Sequence, residues 1–199
     1  MEKPYAMARL LQGDVGTGKT VVALLAAIHA IQQKGIQVAI MAPTEILARQ
    51  HFAGSEAWLM ELGISSDLLV GSLTPRMKED ARERLKSGQT DIVFGTHALI
   101  QESVGFAHLG FVVVDEQHRF GVEQRKILEE YCSRSKIVPH RLNMSATPIP
   151  RTLALTIYGD QDVSVLDEYP AGRKPIHTKV IREEKRIEVY RFIEEEVRQ

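Results

Sequence analysis

Cysteine, long apolar runs and net charge are all scarce in this chain. Cys132 is the only cysteine among 199 residues, so no disulfide can form within the chain and a reducing compartment is expected. The longest apolar stretch, Val21 to Ile31, is about half the length that spans a bilayer. The first residues, Met-Glu-Lys-Pro-Tyr, lack the apolar segment of a signal peptide. These absences predict a soluble, cytoplasmic protein.

The charge balance is close to neutral, with 25 basic and 26 acidic residues and a net charge of −1. DNA-binding domains are often strongly basic, so any DNA contact here must be local or shared with other parts of a larger protein. Hydrophobic residues make up 44% and charged residues 26%, which is typical of globular proteins. The length allows one domain and the start of another.

Strand-like and helix-like patterns alternate along the chain. The predicted strands cover residues 9–12, 37–42, 67–70, 91–94, 111–114 and 141–144, and the predicted helices cover 21–33, 45–62, 75–86, 122–131 and 151–158. The segment Phe111–Val114 is apolar at every position, a pattern typical of strands that are buried on both faces of a parallel sheet. The order therefore predicts an α/β domain with a parallel β-sheet covered by helices on both faces.

The composition changes at Tyr169-Pro-Ala-Gly-Arg-Lys-Pro175, which is typical of a linker. We predict a first domain over residues 1–170, a linker over 171–175 and the start of a second domain over 176–199. The last part is predicted to hold a strand over 176–181 and a helix over 184–199 with an apolar row at Ile187, Tyr190, Ile193 and Val197. Because a strand and a helix with nothing after them suggest a second α/β domain that has been cut off, we expect the chain to be part of a longer enzyme.

The segment Gly13-Asp-Val-Gly-Thr-Gly-Lys-Thr20 matches the phosphate-binding pattern G-x-x-x-x-G-K-[ST], with a predicted strand before it and a helix after it. Backbone N–H groups of such loops hold phosphate oxygens, and the helix N-terminus adds partial positive charge. Lys19 would contact the β- and γ-phosphates of ATP, and the Thr20 hydroxyl would bind Mg²⁺. The predicted nucleotide-binding residues are Gly13, Asp14, Val15, Gly16, Thr17, Gly18, Lys19 and Thr20.

Two carboxylates follow the most apolar predicted strand. Asp115 lies at its carboxyl end, where open α/β sheets place their ligands, and can hold Mg²⁺ through water. Glu116 can orient and deprotonate the attacking water, so Glu116, Lys19 and Asp115 form the predicted catalytic set. Gln117 and His118 complete the motif. Their predicted role, coupling ATP hydrolysis to motion, rests only on their place in it.

The motifs Gly13–Thr20, Asp115–His118 and Ser145–Thr147 together resemble the first RecA-like domain of superfamily 2 helicases. Longer stretches resemble the bacterial branch-migration DNA helicases, which remodel forks and Holliday junctions in recombination and repair. These stretches are 9–20, 42–48, 95–100, 114–122 and 144–156. The next most similar family, the transcription-repair coupling translocases, usually has Asp-Glu-Glu-His and Thr-Ala-Thr where this chain has Asp-Glu-Gln-His and Ser-Ala-Thr. These differences favour the resemblance to the branch-migration helicases.

This resemblance implies further roles and partners. Ser145 and Thr147 would link ATP hydrolysis to domain motion, and Arg151 would contact a second RecA-like domain. The residues implied on the DNA-facing side are Pro43, Thr44, Arg49, Gly71, Ser72, Thr96 and His97. The strand that ends at Ser145 would lie between the phosphate-loop strand and the Asp115 strand. Partners implied by the family are branched DNA, a wedge domain and the second RecA-like domain with its arginine fingers.

Two other functions stay open from the sequence. One is a double-stranded DNA translocase that works with RNA polymerase, which a polymerase-binding module elsewhere in the gene would favour. The other is a nucleotide-binding module without catalytic activity. Since the arginine fingers of the family lie in the second domain, we expect these 199 residues to bind nucleotide without efficient hydrolysis.

Overall fold

The fold was obtained as a computed structural model, which describes residues 5–101, 103–116, 138–147, 161–168, 178 and 180–198. By internal packing the chain divides into two units, Met1–Glu168 and Tyr169–Gln199. The strands of the first unit are β1 (Ala8–Gly13), β2 (Gln37–Met41), β3 (Ser66–Leu69), β4 (Ile92–Gly95), β5 (Leu109–Val114), β6 (His140–Ser145) and β7 (Asp162–Leu166). Its described α-helices are α1 (Lys19–Lys34), α2 (Glu45–Glu61) and α3 (Pro75–Ser87).

The described helices begin and end at residues that suit those positions. Thr44 and Thr74 cap α2 and α3, because each hydroxyl accepts a hydrogen bond from a backbone N–H of the first turn, at 3.3 Å in both cases. Helix α1 is capped at its carboxyl end by Gly35, whose φ of 58° is left-handed and whose N–H donates to Ile31 O at 2.8 Å. Local sequence therefore sets where these elements start and stop.

The seven described strands form one sheet in the order β3-β4-β2-β5-β6-β1-β7, and every pair of neighbours is parallel. This confirms the predicted α/β class. It also confirms that the strand ending at Ser145 lies between the phosphate-loop strand and the strand that precedes Asp115. The carboxyl ends of β5, β6 and β1 consequently meet along one edge of the sheet.

Side chains on the two faces of the sheet build two separate cores. On one face, Val38 and Ile40 of β2 pack with Phe94, Phe111 and the apolar sides of α1 and α2. On the other face, Ala39 and Met41 belong to a cluster with α3 and a 3-10 helix over His97–Ile100. The alternation along β2 explains why all of its residues are buried, and helices cover both faces as predicted.

Two features differ from the expectations. Strand β7 was not predicted. It is the outermost strand of the sheet beside β1, with Leu166 opposite Gly13. The strand predicted over 176–181 is not found at Thr178, Val180 and Ile181, which have no regular structure. The helices predicted over 122–131 and 151–158, and the linker over 171–175, lie outside the described residues.

The second unit contains a 3-10 helix over Glu183–Lys185 and a helix, α4, over Arg186–Val197. Helix α4 was predicted over 184–199, so the prediction and the structure agree to within two residues at each end. Its apolar row is exposed, and none of its residues is buried. Within the described part of the chain, no helix is long and apolar enough to cross a membrane.

Candidate nucleotide and DNA sites

The phosphate loop joins the end of β1 to the start of α1. Gly16 and Gly18 have φ values of 84° and 91°, which side-chain-bearing residues rarely adopt. A Cβ at Gly13 would lie 2.5 Å from Thr17 Oγ1 and 3.0 Å from Leu166 O. Glycine is therefore required at Gly13 by close packing and at the other two positions by backbone conformation.

Lys19 folds back over the loop. Its Nζ donates to Gly13 O at 2.7 Å and to Asp14 O at 2.9 Å, so the ammonium group lies against the loop itself. Thr20 follows in the first turn of α1, is partly buried, and has no acidic neighbour within that turn. The end of the sheet at this loop thus carries a lysine charge and the partial positive charge of a helix N-terminus.

Asp115 continues directly from β5 and is held by two elements. Its backbone N–H donates to Met41 O at the end of β2, at 2.8 Å. Its carboxylate Oδ2 lies 2.9 Å from His51 Nε2 on α2, and each of the two side chains is only 13% exposed. Because a carboxylate oxygen accepts, His51 donates in this bond. The sequence reasoning missed His51.

Glu116 has a φ of 48°, the only positive value among the described residues other than glycine. Residues with side chains rarely adopt such conformations, and those that do are concentrated at functional sites. Its Oε1 accepts a hydrogen bond from Ala146 N at 3.2 Å. The turn after β5 is thereby connected to the segment after β6.

Ser145 and Thr147 contact each other on either side of Ala146. Their hydroxyl oxygens are 2.9 Å apart, and Thr147 N donates to Ser145 Oγ at 3.3 Å. The structure therefore brings together Glu116, Ser145 and Thr147, and the sheet order places them beside the phosphate loop, with Ser145 paired to Gln12. Gln117, His118 and Arg151 lie outside the described residues.

A cleft of about 210 Å³ opens at the carboxyl ends of β2, β3 and β4. Five of the residues implied on the DNA-facing side line it, namely Pro43, Thr44, Gly71, Thr96 and His97. The other two lie next to it: Arg49 donates to Ser72 Oγ at 3.0 Å, and Ser72 donates in turn to Glu45, which also lines the cleft. The hydrogen bond from Ser72 and the charge of Arg49 hold the pKa of Glu45 below its usual value.

Three further polar side chains of this cleft were missed, namely Lys78, Arg82 and Gln101. Lys78 and Arg82 are four residues apart on α3 and therefore face the same side. Lys78 Nζ donates to Gly71 O at 2.6 Å. Arg82 pairs weakly with Glu79 at 3.5 Å, and its Nε is buried without a partner among the described residues. Basic residues at i, i+4 spacing are common on the solvated side of helices, so the sequence carries no signal that singles these two out.

The chain belongs to the DEAD/DEAH box helicase family, whose model matches residues 6–156. Membership in this family implies ATP binding. The chain is similar to the ATP-dependent DNA helicase RecG of Aquifex aeolicus, with 52% identity over 198 residues. That match covers 100% of this chain and 25% of the relative.

Solved structures agree with this assignment. RecG bound to a three-way DNA junction superimposes with a TM-score of 0.81 and 46% identity, covering 98% of this chain and 25% of that one. The helicase MrfA bound to DNA superimposes with a TM-score of 0.71 at 22% identity, covering 95% of this chain and 30% of that one, and this match shows the fold alone. The resemblance to RecG-type helicases is confirmed, and the chain spans about a quarter of the length of the curated relatives it matches.

Proposed function

We propose that these residues are the ATP-binding motor domain of a DNA helicase that remodels branched DNA, such as forks and Holliday junctions, in recombination and repair. The observation that carries this proposal is the 46% identity, over 98% of the chain, to RecG bound to a three-way DNA junction. The arrangement of the phosphate loop, the two carboxylates and the cleft along one sheet edge supports it.

ATP would bind with its phosphates in the loop. Lys19 would exchange its bonds to Gly13 O and Asp14 O for phosphate oxygens. The Thr20 hydroxyl and the Asp115 carboxylate are oxygen donors of the kind that Mg²⁺ prefers, and the bound ion would neutralise charge on the phosphates. The donor types thus fit a nucleotide with its metal.

Glu116 would orient and deprotonate the attacking water. The bond from Ala146 N to Glu116 Oε1 ties this carboxylate to the Ser145–Thr147 segment. Any rearrangement of that segment would therefore move the base. This contact offers a physical route from ATP hydrolysis to the motion that Ser145 and Thr147 are expected to transmit.

The cleft would hold one DNA strand through its phosphates. The hydroxyls of Thr44 and Thr96 and the N-terminus of α2 border it, and such groups position a nucleic-acid backbone without reading its sequence. The charges of Lys78 and Arg82 would add an attraction that depends on salt. The near-neutral charge of the whole chain is compatible with this local basic surface.

The test measures the ATPase rate of the full-length protein with a three-way junction, a linear duplex or a single strand of equal nucleotide content. We expect the junction to stimulate most, and Lys19→Ala, which removes the lysine charge at the phosphates, to lower nucleotide affinity at least tenfold. Absence of DNA-stimulated hydrolysis would overturn the proposal. Equal stimulation by duplex and junction would favour a duplex translocase instead.

A further inference from the structure

His51 and Asp115 form a hydrogen-bonded pair in a protected position. Their Nε2 and Oδ2 atoms are 2.9 Å apart, and each side chain is 13% exposed. The residues are 64 positions apart in the chain, so the pair forms only when α2 packs against the end of β5. A hydrogen bond to a carboxylate is among the stronger kinds in proteins.

Asp115 is held in one orientation by contacts from two directions. The bond from its N–H to Met41 O fixes the backbone, and the bond from His51 fixes the carboxylate. No other hydrogen bond of the His51 ring is found within the described residues. The ring thus directs its Nε2 at the carboxylate that is expected to hold the metal ion.

We propose that His51 is a positioning residue that holds the Asp115 carboxylate in the orientation needed for the Mg²⁺ of a bound nucleotide. This inference rests on the proposed function. Groups that hydrogen-bond to metal-binding carboxylates orient them, and loss of such a group lowers metal affinity or activity by about 10- to 100-fold. His51 itself touches neither the nucleotide nor the ion in this assignment.

Two variants of similar size separate the hydrogen bond from the packing. His51→Gln keeps an N–H donor at about the same reach, whereas His51→Leu fills the space but cannot donate. In the full-length protein, binding of a non-hydrolysable ATP analogue is titrated against Mg²⁺ concentration and also measured in EDTA. Circular dichroism and thermal unfolding verify that each variant is folded.

We expect His51→Leu to shift the Mg²⁺ midpoint upward by about tenfold, while the affinity in EDTA stays within twofold of the original. His51→Gln should keep the midpoint within about threefold. A midpoint in His51→Leu within twofold of the original would overturn the inference, as would equal shifts in the two variants or equal losses with and without Mg²⁺. If His51→Gln does not fold, His51→Leu decides by the limits given; if His51→Leu does not fold, His51→Ala, which also lacks a donor, is measured in its place against the same limits.

Failure of the proposed function has a different signature. If the unaltered protein binds the nucleotide equally well with and without Mg²⁺, or does not bind it, the metal-dependent nucleotide site is wrong and the role of His51 falls with it. If the unaltered protein shows metal-dependent binding and His51→Leu behaves like it, only the inference about His51 is wrong.

Discussion

At the scale of single residues, Glu116 combines a left-handed φ of 48° with a hydrogen bond to Ala146 N. Replacing it with Gln preserves size and the acceptor oxygen but removes the base. We expect the full-length Glu116→Gln variant to bind ATP normally while kcat falls by a factor of about 10² to 10⁴. Steady-state ATPase assays together with calorimetric nucleotide binding provide the measurement.

Glu56→Gln is the matched control, since Glu56 is exposed on α2 and should leave both quantities unchanged. Near-normal turnover in Glu116→Gln would show that another group activates the water. Lost binding together with lost turnover would assign Glu116 to nucleotide binding instead.

His140 provides a prediction about pH. Burial lowers its pKa, with a further contribution from the charge of Lys34, and its Nδ1 accepts a hydrogen bond from Met7 N at 2.9 Å. The unfolded state therefore binds a proton near pH 6.5, before the folded state does. As pH falls through that value, the free energy of unfolding should decrease, and the decrease should end below the folded-state pKa.

Chemical denaturation of the chain at several pH values between about 7.5 and 5 tests this. The His140→Gln variant should show a shallower dependence, because Gln does not titrate and its oxygen can still accept from Met7 N. His29→Gln, on the exposed side of α1, is the control. An equal slope in the original chain and in His140→Gln would contradict the prediction.

At the scale of elements, helix α3 presents Lys78 and Arg82 to the cleft. If DNA phosphates lie there, Lys78→Ala and Arg82→Ala should each weaken DNA binding for all sequences. Each should also reduce the slope of log affinity against log salt by about 1. Fluorescence anisotropy at several salt concentrations measures both effects in the full-length protein.

Arg76→Ala and Lys86→Ala remove the same charge from exposed positions of the same helix that do not line the cleft. We expect these controls to change the salt slope much less. If all four variants changed it equally, only the general charge of α3 would be involved, and the cleft assignment would fail.

At the scale of the whole molecule, the 199-residue chain by itself should turn over ATP poorly. Charge that develops on the γ-phosphate must be neutralised, and arginine fingers contribute a factor of about 10³ to 10⁵. In the resembled family these come from the second RecA-like domain, and relatives are about four times as long as this chain. We expect the rate to be at least tenfold below that of the full-length protein and not to respond to forked DNA.

Parallel ATPase assays of both proteins, with and without forked DNA, make the comparison. Nucleotide binding by the 199-residue chain is the control that its phosphate loop is formed. A DNA-stimulated rate within tenfold of the full-length protein would show that the chemistry is complete within these residues.

The sequence predicted those parts of the molecule that depend on local pattern. The sheet class, the phosphate-binding motif and the Asp115–Glu116 pair all follow from short stretches of residues. Strand β7 was not predicted, because an outermost strand of five residues forms only by pairing with β1, more than 150 positions away.

The site residues that the sequence did not predict were missed for the same reason, because their contacts are long-range. His51 joins Asp115 only through the packing of α2 against the sheet, and Lys78 and Arg82 resemble the solvated side of an ordinary charged helix until the fold forms the cleft around them. The resemblance to helicases supplied the position of β6, which no local pattern could have given. Features set by local sequence were thus predicted, whereas features that depend on long-range contacts were not.

Helix α2 borders the cleft at Thr44 and contacts the Asp115 carboxylate at His51. The two contacts are about two helical turns apart, roughly 10 Å along one rigid element. If DNA and nucleotide each favour one placement of α2, their affinities are linked. By thermodynamic reciprocity, the factor by which DNA tightens nucleotide binding must equal the factor by which nucleotide tightens DNA binding. Through this one helix, the affinity for DNA would then change with each stage of the ATPase cycle.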